Sequence, residues 1–178
     1  VTEIGREAFS GCFNLTNVKI PKGLTTLESG VFANCSSITS FEIPETVTKI
    51  CGAILACTSV THVEIPDTVT EIDTDSIFAN CKKLESVRLP SCTTKIGQMA
   101  FNGCTALKSV NIPYGVTTIG WRAFGECKSL TTIELPETMT SIGSYAFTQC
   151  AALRTIVIPA GVTSIGNGAF GGCSALED

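Results

Sequence analysis

Ten cysteines, sixteen acidic residues and a single histidine carry most of the reactive chemistry in this 178-residue chain. Eight of the cysteines, Cys12, Cys35, Cys57, Cys81, Cys104, Cys127, Cys150 and Cys173, recur every 22 to 24 residues. Thiolate metal sites gather their ligands in C-x-x-C pairs, and the sequence contains none. His62 stands in Thr61-His62-Val63-Glu64-Ile65, where alternation turns it outward opposite Val63. A lone exposed imidazole beside a carboxylate is read as solvated surface. No nucleophile elbow, phosphate loop or metal-ligand triad accompanies it. Glu42 and Glu64 share a position in successive repeats, at a spacing that resembles a glycosidase carboxylate pair. Any two like residues of a repeat share that spacing, so it carries little weight. Glu42, Glu45, Glu64 and Asp67, followed by Glu71, Asp73 and Asp75, offer hard oxygen ligands of the kind Ca²⁺ takes. They lack EF-hand or RTX spacing, and a solvated acidic face is the simpler reading. The chain is read as a non-enzyme with no cofactor and no metal.

The element that must position all of these is a repeat. Prolines stand at 21, 44, 66, 90, 113, 136 and 159, in step with the cysteines. Written from the proline, one unit is P-x-x-V-T-x-I-G-x-x-A-F-x-x-C-x-x-L-x-x-V-x-I, as residues 113 to 135 show. A fixed period of 20–29 residues ending in L-x-x-L-x-L is the mark of a leucine-rich repeat. Leu130-x-x-Ile133-x-Leu135 closes on a period-2 alternation, which predicts a short strand. The following proline cannot donate to a ladder and ends that strand. Val116-x-x-Ile119 sends a second apolar pair inward on the return side, and Gly120 suits a turn with positive φ. Ala123-Phe124-x-x-Cys127 has the spacing of a short helical or 3₁₀ segment. One unit cannot bury its own apolar side chains, whereas units stacked at roughly 4.8 Å can. Residues 1–178 are therefore expected to form one domain of about eight turns, a rod on the order of 40 Å long.

Irregular repeats refine this picture. The third lacks one residue between Ile50 and Cys57, and puts Ile54 where others have Phe. The fourth gains one within Asp73-Thr74-Asp75-Ser76. Stacked turns would set ladder thiols near 5 Å apart but side by side, which opposes the torsion of a disulfide. The ladder cysteines are expected to be buried, reduced and structural. Cys51 and Cys92 fall outside the ladder, too far apart to pair, and are candidate surface thiols.

Composition narrows the function classes. Hydrophobic residues make up 44% of the chain, enough for a core, yet no run is long enough to span a membrane. Net charge is −4 without a basic cluster, which argues against a nucleic-acid partner. The sequence starts and stops in mid-repeat, as a piece of a longer protein would. Asn14 and Asn34 fit the N-glycosylation pattern, which matters only in a eukaryotic secretory protein.

The unit I-P-x-x-V-T-x-I-G-x-x-A-F-x-x-C-x-x-L-x-x-V resembles the BspA-like branch of leucine-rich repeats over the whole chain. The resemblance implies an α/β solenoid, a right-handed superhelix with parallel strands on its concave side and short helical or 3₁₀ turns on the return side. It also implies a secreted or surface-displayed protein that attaches to host or matrix proteins. The alternative is a structural solenoid that self-associates end to end. The surface expected to meet a partner is the outward strand face. One of its columns holds Asn17, Ser40, His62, Ser86, Ser109 and Thr132, and the next holds Lys19, Glu42, Glu64, Arg88, Asn111 and Glu134. Trp121 and Tyr145, with Tyr114 nearby, are a possible second patch on the return side.

Overall fold

A computed structural model describes residues 1–177. The chain winds as a parallel β-solenoid with sheets on two sides. The strands, numbered along the chain, are β1 (Thr26–Leu27), β2 (Lys49–Ile50), β3 (His62–Glu64), β4 (Glu71–Ile72) and β5 (Ser86–Arg88), then β6 (Lys95–Ile96), β7 (Ser109–Asn111), β8 (Thr118–Ile119), β9 (Ser141–Ile142) and β10 (Ser164–Ile165). The predicted strand face is the sheet β3-β5-β7. The return side carries two sheets that sequence reasoning did not anticipate, β1-β2-β4 and β6-β8-β9-β10. Register follows the repeat: Val63, Val87 and Val110 align on one side, and Ile96, Ile119, Ile142 and Ile165 on the other.

Three expectations need correction. No helix forms among the described residues. Between Gly120 and Cys127, amides alternate in their allegiance. Those of Arg122, Phe124 and Glu126 donate to Ser144, Ala146 and Thr148 of the next winding, at 3.1, 2.7 and 2.8 Å. Those of Ala123, Gly125 and Cys127 close three-residue turns onto Gly120, Arg122 and Phe124. A helix would consume most of its amides internally and leave this segment joined to the next winding only by side chains. The cost is a left-handed backbone at Arg122 (φ 51°) and Glu126 (φ 60°), a region open mainly to glycine.

Gly120, secondly, is not the positive-φ residue; that role falls two positions later, to Met99, Arg122, Tyr145 and Gly168. The glycines are required by crowding between windings instead. A Cβ on Gly143 would lie 2.8 Å from the carbonyl of Ile119, and one on Gly166 would lie 2.3 Å from the nitrogen of Ser144. Thirdly, the solenoid has about six turns, not eight. Residues 1–25 carry no strand, and Val1, Phe9 and Phe13 there stay exposed. The rod is accordingly nearer to 30 Å at ~4.8 Å per turn.

The third repeat is read differently by the fold than by its letters. The thiols of Cys104, Cys127 and Cys150 donate to the carbonyls of Phe78, Phe101 and Phe124. By the same rule Cys81 donates to Leu55, so Leu55 holds the phenylalanine slot and Ile54 does not. Thr58, buried and bonded back to Leu55, replaces the ladder cysteine. Cys57 is displaced to a left-handed position (φ 61°), matching Asn34 (φ 60°) before Cys35. The missing residue therefore lies beyond Thr58, before the strand. The fourth repeat holds its insertion where the sequence placed it. Thr74 is buried there, donating to Lys95 O and accepting from Gly97 N at 3.0 and 2.8 Å.

The interior is a set of columns. Phe78, Phe101, Phe124, Phe147 and Phe170 stack face to face, with centroids 5.2 to 5.6 Å apart. From Phe101 onward the interplanar angles are 8°, 2° and 1°. Phe124 is fully buried with a ring on each face. Truncating Phe124 to Ala should cost roughly 3–5 kcal/mol in denaturant unfolding. A loss below about 1 kcal/mol, the size of a surface substitution, would contradict this packing.

Candidate functional site

Strands β3, β5 and β7 place much of the predicted surface in two ordered columns. His62 pairs with Ser86 and Ser86 with Ser109; Glu64 pairs with Arg88 and Arg88 with Asn111. All six point away from the buried valines, and only Ser86 is half-buried. Thr132 extends the first column through its bridge to Thr155, and Glu134 follows it, exposed. Asn17, Ser40, Glu42 and His62 meet around one shallow depression, and Lys19 and Glu42 around another. None of Asn17, Lys19, Ser40 and Glu42 lies on a strand, although all four are exposed.

The face is knitted by polar contacts whose partners sequence reasoning did not pair. His62 Nδ1 lies 2.8 Å from Ser86 Oγ. A Ser–His pair can activate a nucleophile, but no carboxylate bonds the second ring nitrogen among the described residues. Neighbouring amides such as that of Ile65, bonded to Arg88 O, are committed to the ladder and cannot stabilise an oxyanion. Arg88 reaches Asp67 at 2.6 Å and Glu64 at 3.5 Å. Asp67 also accepts the amide of Ser91 at 2.8 Å. The Ser91 amide first, and then Arg88, hold the Asp67 carboxyl down at about 2. The signal for this clamp was present as Pro66-Asp67 and Pro90-Ser91, equivalent positions one winding apart.

The acidic residues divide into two groups. Glu42, Glu45, Glu64 and Asp67 rim an open depression of about 650 Å³, with Arg88 at its edge and Phe41 below. On the return side Glu71 pairs with Lys49 at 2.8 Å and Asp75 with Lys95 at 3.6 Å. Asp73 accepts the amide of Asp75 and caps the inserted turn. Among the described residues no three metal-ligating side chains converge.

The thiols are free and sort by depth. Cys35, Cys81, Cys104, Cys127 and Cys150 are buried, as expected of the ladder. Burial pushes Cys81 up to about 11 and Cys104 and Cys127 well above the ordinary thiol value. A raised thiol holds little thiolate at neutral pH and reacts slowly. Cys12 is exposed, while Cys57 and Cys173 are half-buried, so these three depart from that expectation. Cys51 and Cys92 are half-buried, partly open to the surface, and Cys92 donates to Val69 O at 3.1 Å. In the native protein a thiol-reactive dye should label Cys12 and Cys57 well before Cys104 or Cys127, and reductant should leave the melting temperature unchanged. Early labelling of Cys104 or Cys127, read by peptide mass spectrometry, would contradict the buried ladder.

The likeness to known proteins agrees with this geometry. The BspA type leucine rich repeat region, in six copies, matches residues 1–77 and 74–178. A leucine-rich repeat protein from Bacteroides ovatus superposes with a TM-score of 0.70 at 27% identity, covering 99% of this chain and 57% of the other. The T. pallidum leucine rich repeat protein has 35% identity and a TM-score of 0.62, over 67% of this chain and 58% of its own. A leucine rich cell surface protein from Faecalibacterium prausnitzii gives 0.54 at 27% identity, over 99% and 62%. This chain thus spans less than two thirds of the length of each. No curated protein matches it. The repeat unit, the parallel windings and the matched residues lead to one assignment: the chain belongs to the BspA-type leucine-rich repeat family.

Proposed function

We propose that this chain is a recognition module, working at a cell surface or outside the cell, that binds a host or matrix protein through its β3-β5-β7 face. The observation that carries this reading is the pair of outward columns His62-Ser86-Ser109 and Glu64-Arg88-Asn111, held in register by the ladder. Their spacing, ~4.8 Å along the rod, presents polar groups in a fixed array. The depressions on this face are open, which suits an extended macromolecular partner better than an enclosed small molecule. A rigid face also loses little conformational freedom on binding. The F. prausnitzii relative is described as a cell surface protein, which supports an external location.

Charge sets the expected selectivity. Lys19, Glu42, Glu64, Arg88 and Glu134 change sign along the face, and exposed charges are screened within about 8–10 Å at physiological salt. Binding to purified matrix proteins on a sensor surface should therefore weaken as salt rises. Exchanging the charges with Glu64→Lys and Arg88→Glu together keeps an opposite-sign pair between β3 and β5, removes the clamp on Asp67, and inverts the pattern shown to a partner. That double variant should lose about tenfold in affinity, equivalent to about 1.4 kcal/mol. Unchanged binding, or loss only on altering Trp121 and Tyr145, would remove the strand face as the site.

A further inference from the structure

We propose that the return side carries a second binding site, for a carboxylate-bearing sugar, built from Trp121, Arg122 and Tyr145. The inter-winding hydrogen bonds assemble it. The amide of Met99 donates to Trp121 O, that of Arg122 to Ser144 O and that of Tyr145 to Asn167 O. Arg122 and Tyr145 are therefore neighbours in one column, with Trp121 in the column beside them.

The column that holds Arg122 and Tyr145 is left-handed in every winding: Glu7, Gly30, Ala53, Ser76, Met99 and Gly168 stand in it at φ 56°, 69°, 60°, 54°, 52° and 62°, and Arg122 and Tyr145 at 51° and 58°. Glycine adopts that region freely. The aromatic side chains here are open to solvent: Tyr145 is 44% exposed and the neighbouring Trp121 42%.

The chemistry of the patch selects the ligand. The Arg122 guanidinium lies 5.6 Å from the centre of the Trp121 ring. Among the described residues it makes no ion pair and no side-chain hydrogen bond, so its fork of donors is directed by the indole yet unused. The Tyr145 ring lies across Gly168, where an added Cβ would stand 2.7 Å from the ring edge. The result is an unpaired planar cation on one half-exposed ring, Trp121, with a second half-exposed ring, Tyr145, one winding on. A pyranose stacks its C–H face on such rings, and a guanidinium grips a carboxylate through two parallel hydrogen bonds. A peptide would instead seek free backbone groups to extend a sheet, and the return-side amides here are already bonded between windings.

Trp121 is the only tryptophan, so its fluorescence reports on this site alone. Oligogalacturonate and a sialylated trisaccharide should be titrated against the protein, with methyl-esterified oligogalacturonate and a poly-glutamate peptide as controls. At least one acidic sugar should change the emission saturably, while ester and peptide do not. Arg122→Gln and Tyr145→Gly should each weaken that response tenfold or more. Tyr145→Gly should not lower the melting temperature, because glycine is at ease in the left-handed column. The Glu64→Lys, Arg88→Glu double variant should leave the response intact, which keeps this site separable from the strand face. No saturable change with either acidic sugar, an equal response to the ester, a response to the peptide, or unaltered affinity in both return-side variants would overturn the proposal.

Discussion

Everything in this fold depends on backbone amides shared between windings. On the return side many N–H groups leave their own winding, some for the next, as Phe124 does to Ala146, and some for the preceding one, as Gly120 does to Ile96. Those bonds draw the windings to strand separation, and the other features follow from that closeness. Side chains cannot fit where Gly120, Gly143 and Gly166 cross, so glycine stands there. Phenylalanine rings, set one above another at 5.2 Å, have no freedom but to stack. Each ladder thiol donates to a phenylalanine carbonyl of the preceding winding, as Cys127 does to Phe101 O. The cysteine ladder is thus a packing device with a weak hydrogen bond, and burial makes it poorly reactive.

Much of this was legible in the residues, because a repeat displays its constraints many times over. The spacing of Pro113, Ile119, Phe124, Cys127 and Ile133 foretold which side chains face inward, and Ile119, Phe124, Cys127 and Ile133 are buried. The helical reading of Ala123-Phe124-x-x-Cys127 failed for a physical reason. A chain of three-residue turns produces the same apolar spacing as one turn of helix. The difference lies in φ at Arg122 and Glu126, and neither residue type announces a left-handed backbone. The third repeat misled differently. Aligning Cys57 with the other cysteines matched chemical identity, whereas the fold matched volume and placed Thr58 in the column.

On the candidate site, the sequence identified the columns but not their bonds. His62 with Ser86, and Arg88 with Asp67, lie 24 and 21 residues apart and meet only through the register. That register also decides which charges a partner meets. Arg88 is held by Asp67 and Glu64, so the positive charge read from the sequence is partly answered within the protein. On the opposite side the Arg122 guanidinium lies on the Trp121 ring and, among the described residues, forms no ion pair. The two faces therefore differ in kind: one is a polar grid whose charges are paired in part, the other an aromatic surface that carries a cation.

The account rests on where the Phe124 amide sends its proton. Coupling transmitted through hydrogen bonds, measured by NMR on labelled protein, reports that partner directly. The windings described here require a coupling from the Phe124 amide nitrogen to the carbonyl carbon of Ala146, with equivalents from Phe101 to Ala123 and from Phe147 to Ala169. A coupling from Phe124 to Gly120 or Trp121 would mean a helical or 3₁₀ return side, and would contradict the shared-amide architecture from which the rest is derived.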